Sequence, residues 1–345
     1  MKFAPQLRKE LARIIDAVAI LSPSSFTFAG YPSSGLAMPM MGLKIEAGMP
    51  PLMTELVGQL YQHCYSNRFA GQVVKAQMPR PEIDEEWVET LSRANSSRER
   101  WEDGWQVAHT TPQGQAIARR GSINRVLNPG EFVNLSGSGM FLAPDASVRV
   151  YVPRDSRTMQ PGYYFAFGET GADSADQLSV VRFYWNVSAE GAPRLLELIS
   201  SGLNRWQVPF RFKTGSNPAI LARSDSAVLY SPRRYAQITY ELVLEIHERI
   251  LPLLRAEVPL FSLPLAAGLA FAEDTGTQES FGMARCRTLA QGIWQAHKSG
   301  ALAIEERLAT VERQFEAEGI PLERPWLNAG SANEFEFAAV AAEAA

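Results

Sequence analysis

Cysteine is nearly absent from this chain: there are two, Cys64 and Cys286, in 345 residues. Two cysteines cannot make a disulfide framework, and without a CxxC pair they offer no zinc site. A reduced, cytoplasmic setting is therefore expected. Histidine is also scarce. His63, His109, His247 and His297 are scattered, and none stands with a second His or a Glu at helical ligand spacing, so no metal is expected. Charge of one sign is missing as well. With 33 basic and 37 acidic residues the net charge is −4, which gives no bulk attraction for nucleic acid. No apolar run is long enough to span a bilayer. The candidate near the N-terminus, "IIDAVAILS", is broken by Asp16 and is too short. It reads as part of an amphipathic helix over 6–21, ended by Pro23, rather than as a signal peptide. GxGxxG and Walker loops are absent, which removes the usual nucleotide fingerprints.

What is present is globular. At 46% hydrophobic and 20% charged, the chain can bury one large domain or two ordinary ones. Three helical stretches are expected in the first third: 6–21, "PPLMTELVGQLYQHCYSNRF" with Leu52, Leu56, Leu60 and Cys64 on one face, and the acid-led "DEEWVETLSRANSSRERWEDGW". "AMPMMGL" reads as loop and core filler. From about Gln115 the texture changes to short Val-, Phe- and Tyr-rich segments between Pro, Gly, Asn and Ser, which are strand signals. "LSGSGMF" among them is a lone glycine-serine turn. A helix in "APRLLELISSGLNRWQ", capped near Ser188, falls between strands. Further helices follow in "RRYAQITYELVLEIHERILPLLR", after the loop "AEDTGTQESFG", and in "IEERLATVERQFEAEGI". Strands and helices without strict alternation predict an α+β fold. The expected form is a mixed or antiparallel sheet with packed helices and a helical N-terminal third. The expected division is 1–114 helical, 115–326 α+β core and 327–345 a flexible acidic tail.

Four segments carry charge among residues that otherwise read as buried. In "VVRFYWNV", alternation puts Arg182, Tyr184 and Asn186 on one face and Phe183, Trp185 and Val187 on the other. In "PFRFKTGSNPA", Arg211 and Lys213 share a face, with Asn217 beyond. "RSDSAVLY" brings Arg223, Asp225 and the strand-ending Tyr230. "TQESFGMARCR" offers Ser280 and backbone donors at a helix start, then Arg285 and Arg287. Arginine forks match phosphate oxygens, so these four segments together point to an anion site. Taken singly, each arginine is more often a surface ion pair, an edge lysine a guard against aggregation, and a lone tyrosine a core residue.

The order "YYFAFG … VVRFYWNV … PFRFKTGSNPA … RSDSAVLY … LAAGLAFAEDTGTQESFGMARCR" resembles the HopA-type type III effector family. The resemblance covers about 57–300 and is densest over 163–287. It implies an α+β fold. Members in peptide natural-product clusters look like lyases that act after a kinase has phosphorylated Ser or Thr of a precursor peptide. A fainter similarity, to phosphothreonine lyases, implies roles. Arg182, Arg223, Arg285 and Arg287 would hold phosphate, and Lys213 would be the general base; Arg211, on the face of Lys213, joins the phosphate-holding cluster by the alternation of its own strand. Tyr184 stands where those enzymes have a histidine acid, and Tyr230 ends the strand; either hydroxyl could protonate the leaving group or hold the carbonyl. Asn186, Asn217, Asp225 and Ser280 are the candidate substrate contacts. The expected partners are a phosphorylated precursor peptide and a kinase-like protein, with no cofactor, nucleic acid or membrane. Two other readings stay open: a phosphopeptide- or protein-binding module without turnover, and a scaffold that presents peptide to a kinase by strand addition.

Overall fold

The computed structural model describes residues 3–35, 48–73, 82–121, 123–137, 142–277, 279–335 and 337. "AMPMMGL" and the last four residues of "LSGSGMF" lie outside the described residues, as does the chain beyond 337. The fold is α+β. Every strand pairing among the described residues is antiparallel.

The first helix, α1, spans Phe3–Ala17 and ends earlier than the sequence pattern indicates. Its β-branched, apolar continuation Val18–Ser22 is a strand, β1, in a meander with β2 (Ser25–Phe28) and β3 (Tyr31–Pro32). The second helix, α2 (Leu52–Leu60), buries Leu52, Leu56 and Leu60 as their spacing predicts, then widens into a π-turn over Tyr61–Tyr65. The acid-led stretch is helical only over α3 (Glu85–Ala94), where Asp84 caps the Trp87 amide. Its remainder opens a long strand, β4 (Arg100–Thr110). The polar run Glu102-Asp103-Gly104 hides that strand, because its buried positions begin only at Trp105 and Val107.

β4 leads a five-stranded sheet with β5 (Ala116–Arg120), β6 (Ile123–Leu127), β7 (Phe132–Asn134) and β8 (Ser147–Val152), in order β6-β5-β4-β8-β7. It has its own small apolar cluster, from Trp105 to Val150. The larger sheet has seven strands: β9 (Asp155–Ser156), β10 (Tyr163–Phe167), β11 (Val180–Trp185), β12 (Arg211–Gly215), β13 (Ala227–Pro232), β14 (Leu263–Ala266) and β15 (Leu269–Glu273). They lie in the order β14-β15-β11-β13-β12-β10-β9. A short helix, α4 (Ser174–Leu178), precedes β11.

The large sheet is sandwiched between helices. Its back face presents Phe183, Trp185, Leu229 and Phe212, all fully buried. Behind them lie α5 (Gly191–Arg205) and α6 (Ala236–Ile250), with Leu195, Ile199, Leu203, Val243 and Ile246 inward. Each such side chain, fully buried, contributes about 1.5–3 kcal/mol. The N-cap of α5 is Glu190, without a side-chain cap, while the Ser188 hydroxyl just before it accepts from the Gly191 amide. Over the front face lie α7 (Phe281–Lys298), packed on α8 (Ile304–Ala317), and the α2 π-turn. The same core that takes in Leu11 and Ile14 of α1 runs to Phe335 and Phe337, which pack on Phe271 and Tyr240. No helix of the described residues is long and apolar enough to cross a membrane.

Candidate active site

Register decides which side chains meet. Directly paired residues of neighbouring antiparallel strands point to the same face. Arg182 pairs with Tyr230, and Tyr230 with Arg211. One row along, Tyr184 pairs with Val228, Val228 with Lys213, and Lys213 with Phe165. The front face of β11, β13 and β12 thus carries Arg182, Tyr230 and Arg211 in one row and Tyr184, Val228 and Lys213 in the next. This is the alternation read from the sequence, now aligned across strands.

Within the first row the Tyr230 ring lies between two guanidinium groups, with Arg211 Cζ 4.4 Å and Arg182 Cζ 5.3 Å from its centre. Arg182 is buried and donates to Asp274 Oδ2 from Nε at 2.7 Å, while its Nη1 reaches the Tyr184 hydroxyl at 3.5 Å. Arg211 is exposed. In the second row Lys213 Nζ stands 3.7 Å from the centre of the Tyr163 ring. Among the described residues Lys213 has no hydrogen bond and no ion pair. Burial pushes its pKa down to about 7; the charges of Arg182, Arg223 and Arg211 push the same way, against the pull of Asp225. Tyr184 is buried and its pKa is pushed up to about 12, first by desolvation and against the influence of Arg182.

Arg223 approaches from the loop before β13. It makes a two-toothed ion pair with Asp225 (2.8 and 2.9 Å) and donates from Nη2 to the Tyr61 hydroxyl at 3.0 Å. Burial and Arg223 act on Tyr61 in opposite senses, and burial wins, so its pKa is raised. Tyr61 stacks on Tyr65, with ring centres 5.2 Å apart. Tyr65 and Tyr184 both lie against the Phe281 ring, with centres 6.3 and 6.2 Å from it.

The other candidates have different surroundings. Arg285 is buried under Phe281 and donates to the carbonyls of Pro325 and Leu327, at 2.7 and 2.8 Å. Desolvation lowers its pKa to about 10, opposed by Tyr184. Arg287 faces Glu279 and Glu318. Asn186 is buried between Arg255 and the Glu257 carbonyl. Asn217 caps the turn at Pro218–Leu221. Ser280 caps α7 through the Met283 amide. Of the four candidate substrate contacts, Asp225 alone hydrogen-bonds an arginine of the cluster.

Four groups at this face escape a reading of the sequence: Tyr61, Tyr65, Tyr163 and Asp274. Tyr61 and Tyr65 sit in a stretch whose leucine spacing marks only its buried side. The i, i+4 tyrosine pair in "YQHCY" is the one available signal, and π-turns recur at functional sites. Tyr163 is hidden in the strand "YYFAF", and Asp274 in a loop that reads as turn chemistry.

An open cavity of about 350 Å³ adjoins the first row, lined by Arg211, Tyr230, Phe167, Pro209, Phe210 and Arg100, among others. A face with four cations, two carboxylates and five tyrosines can hold an anionic group and exchange protons beside it.

Fold and face define an α+β protein with a cationic, tyrosine-rich sheet surface. Its family is the HopA1 effector protein family, to which the chain belongs: that family's model matches residues 154–327. Solved structures that resemble it include two effector proteins. One is an effector protein from Pseudomonas syringae pv. tomato, at 14% identity and a TM-score of 0.46, covering 94% of this chain and 97% of that one. The other is an effector protein from Pseudomonas syringae pv. syringae, at 18% identity and a TM-score of 0.42, covering 73% and 86%. No curated protein matches the chain.

Proposed function

We propose that the protein is a carbon–oxygen lyase that eliminates phosphate from phosphothreonine or phosphoserine of a peptide. The observation that carries this reading is Lys213: a lysine with a pKa near 7 and no acidic partner, one row from Arg182, Tyr230 and Arg211. A structural lysine gains nothing from losing its charge. A base that must take a weakly acidic Cα proton at neutral pH needs it.

The reaction follows from the residues. The neutral Lys213 amine takes the Cα proton. The electron pair becomes the Cα–Cβ double bond, and the Cβ–O bond breaks toward phosphate. Arg211, Arg182 and Arg223 hold the phosphate while its charge grows, which favours the transition state over the bound ground state. Tyr184, protonated at neutral pH, delivers a proton to the departing oxygen. The step balances without a redox partner and leaves dehydrobutyrine or dehydroalanine. The substrate we propose is a ribosomal precursor peptide phosphorylated by a kinase of the same pathway.

A second reading, a phosphopeptide-binding module, has one observation in its favour: Arg182 and Arg223 already hold carboxylates, Asp274 and Asp225. Incubation with a phosphothreonine peptide separates the two. Loss of one phosphoric acid in the mass spectrum is expected. Retained binding with unchanged mass overturns the lyase in favour of the binder.

A further inference from the structure

The front face continues past the cation row. Val180 pairs with Pro232, one row beyond Arg182, Tyr230 and Arg211, and Phe167 extends the cation row onto β10 by pairing with Arg211. Rows on one face of a sheet lie about 7 Å apart along the strands, two residues at about 3.4 Å each. The face therefore runs in three steps: Lys213, then the cations, then an apolar row. The open cavity of about 350 Å³ lies at that third step, and Arg211 and Tyr230 line it as well as the cation row. Its apolar wall is Phe167, Val180, Pro209, Phe210 and Pro232. Gly168 lets that wall close: its amide donates to the Phe210 carbonyl at 2.9 Å, and a Cβ there would come within 2.7 Å of the Phe210 ring. Another wall belongs to the five-stranded sheet, whose Arg100 reaches across to the Gly168 carbonyl at 2.7 Å.

The charges around the cavity are unevenly used. Arg100 is paired with Glu102 at 2.7 Å. Asp176 is buried, is held by Arg234 at 2.6 Å, and accepts from the Asp173 amide at 3.0 Å. Arg211 is exposed and makes no ion pair among the described residues. The one cation without a carboxylate thus stands at the end that the cavity shares with the cation row, and the remainder is apolar.

We propose that this cavity is the specificity subsite of the elimination site: it takes a leucine-sized apolar side chain two residues from the phosphothreonine of the substrate peptide. The proposal rests on the lyase reading above. An extended peptide has the same spacing as the sheet beneath it, since its side chains i and i+2 point the same way about 7 Å apart. With phosphate on Arg182, Arg211 and Arg223, a side chain two positions away arrives over Val180 and Pro232. An acidic side chain there would lose water against Phe167, Val180 and Pro232, with the unpaired cation already on the phosphate. The size agrees. Ligand clefts run about 300–1,000 Å³, so a cavity of about 350 Å³ holds one or two side chains and not a folded partner.

The test measures binding and turnover separately on the full chain. The probes are phosphothreonine peptides that carry leucine, glutamate or glycine two residues before or two residues after the phosphothreonine. Leucine at one of these positions is expected to tighten binding, read by fluorescence polarisation, and to raise kcat/KM, each by about tenfold over glycine. Glutamate is expected to match glycine or fall below it. Ala172→Trp fills the cavity from the loop before α4, and the ratio of leucine to glycine peptide is expected to fall to about one. Each ratio is taken within one protein, so a general loss of stability in the variant cancels. Equal binding of leucine and glycine peptides by the wild type at both positions overturns the subsite, as does a leucine preference that survives Ala172→Trp undiminished. Glutamate bound better than leucine also overturns it and makes the cavity an extension of the anion site. The lyase and the subsite fail apart. A wild type that prefers the leucine peptide in binding but leaves it intact overturns the lyase and upholds the subsite. Elimination without a preference upholds the lyase and overturns the subsite. If no phosphopeptide binds, both fall.

Discussion

Lys213 Nζ rests 3.7 Å from the centre of the Tyr163 ring, with no carboxylate bonded to it. An aromatic face attracts the ammonium but raises its pKa far less than a carboxylate partner does. Asp225, the nearest acid in its electrostatics, is taken up by Arg223. The lysine is left in a site that three arginines make hostile to its charge.

That environment sets a pH dependence. A lysine acting as the proposed base works only when neutral, so kcat is expected to rise through about pH 7 and level off above it. Stopped assays across pH 5.5–9 on a phosphothreonine peptide check this. A flat kcat over that range removes Lys213 as the base.

The same depressed pKa is a stability penalty. Lys213 has a pKa of about 7 in the fold against 10.5 when free of it. Between these values the unfolded chain binds more protons, so this group makes stability rise with pH. Its cost is full below pH 7 and gone above 10.5. Lys213→Met is therefore expected to abolish elimination yet stabilise the protein at pH 6, by about 1–3 kcal/mol after allowing for the part-exposed side chain. The gain should shrink by pH 9.5. Urea midpoints at the two pH values measure it; equal midpoints for variant and wild type at pH 6 mean that the lysine is solvated and unstrained.

In the proposed site Arg223 couples phosphate binding to the Lys213 pKa. Arg223→Gln removes a charge-assisted fork, and about 1.5–3 kcal/mol of binding should go with it, or about ten- to a hundredfold in phosphopeptide affinity. It also removes a repelling cation and frees the Asp225 carboxylate, both of which raise the Lys213 pKa. The rising limb of kcat should then move to higher pH. Weaker binding with an unmoved limb separates Arg223 from the base.

How much of this was legible in the sequence differs by element. Strands β10 to β13 and their polar face follow from a two-residue period, because alternation survives wherever one side is buried. Arg182, Tyr184, Arg211 and Lys213 could thus be placed on faces before any register was known. The rows across the strands could not, since pairing Arg182 with Tyr230 and Tyr230 with Arg211 depends on loops whose lengths fix register only in three dimensions. β1 reads as helix in the sequence because Val18–Leu21 continues an apolar run at a helix end. Tyr61 cannot be read as a site residue because it meets the cluster through Arg223, 162 residues away in sequence. The framework role of the Arg285 donors depends likewise on the carbonyls of Pro325 and Leu327, which carry no side-chain signal.

Asp274 offers the last test, because its two oxygens do different things. Oδ1 accepts from the Gly276 amide at 2.9 Å, and Oδ2 holds Arg182 at 2.6–2.7 Å. Asp274→Asn can keep the first bond through its carbonyl oxygen while it turns an amide toward the guanidinium, so it deletes the charge with little change of shape. Arg182 then remains buried without its counter-ion. Breaking a part-buried pair in this way is expected to cost about 1–3 kcal/mol of stability, seen as a fall in Tm. Phosphate itself can replace the lost carboxylate, so the destabilised variant should be rescued by phosphopeptide: the gain in Tm on adding peptide should exceed that of the wild type. Arg182→Ala should show the reverse, a loss of binding and no rescue. If peptide raises the Tm of Asp274→Asn no more than it raises that of the wild type, the Arg182 charge is committed to Asp274 as framework, and phosphate is held by Arg211 and Arg223 without it.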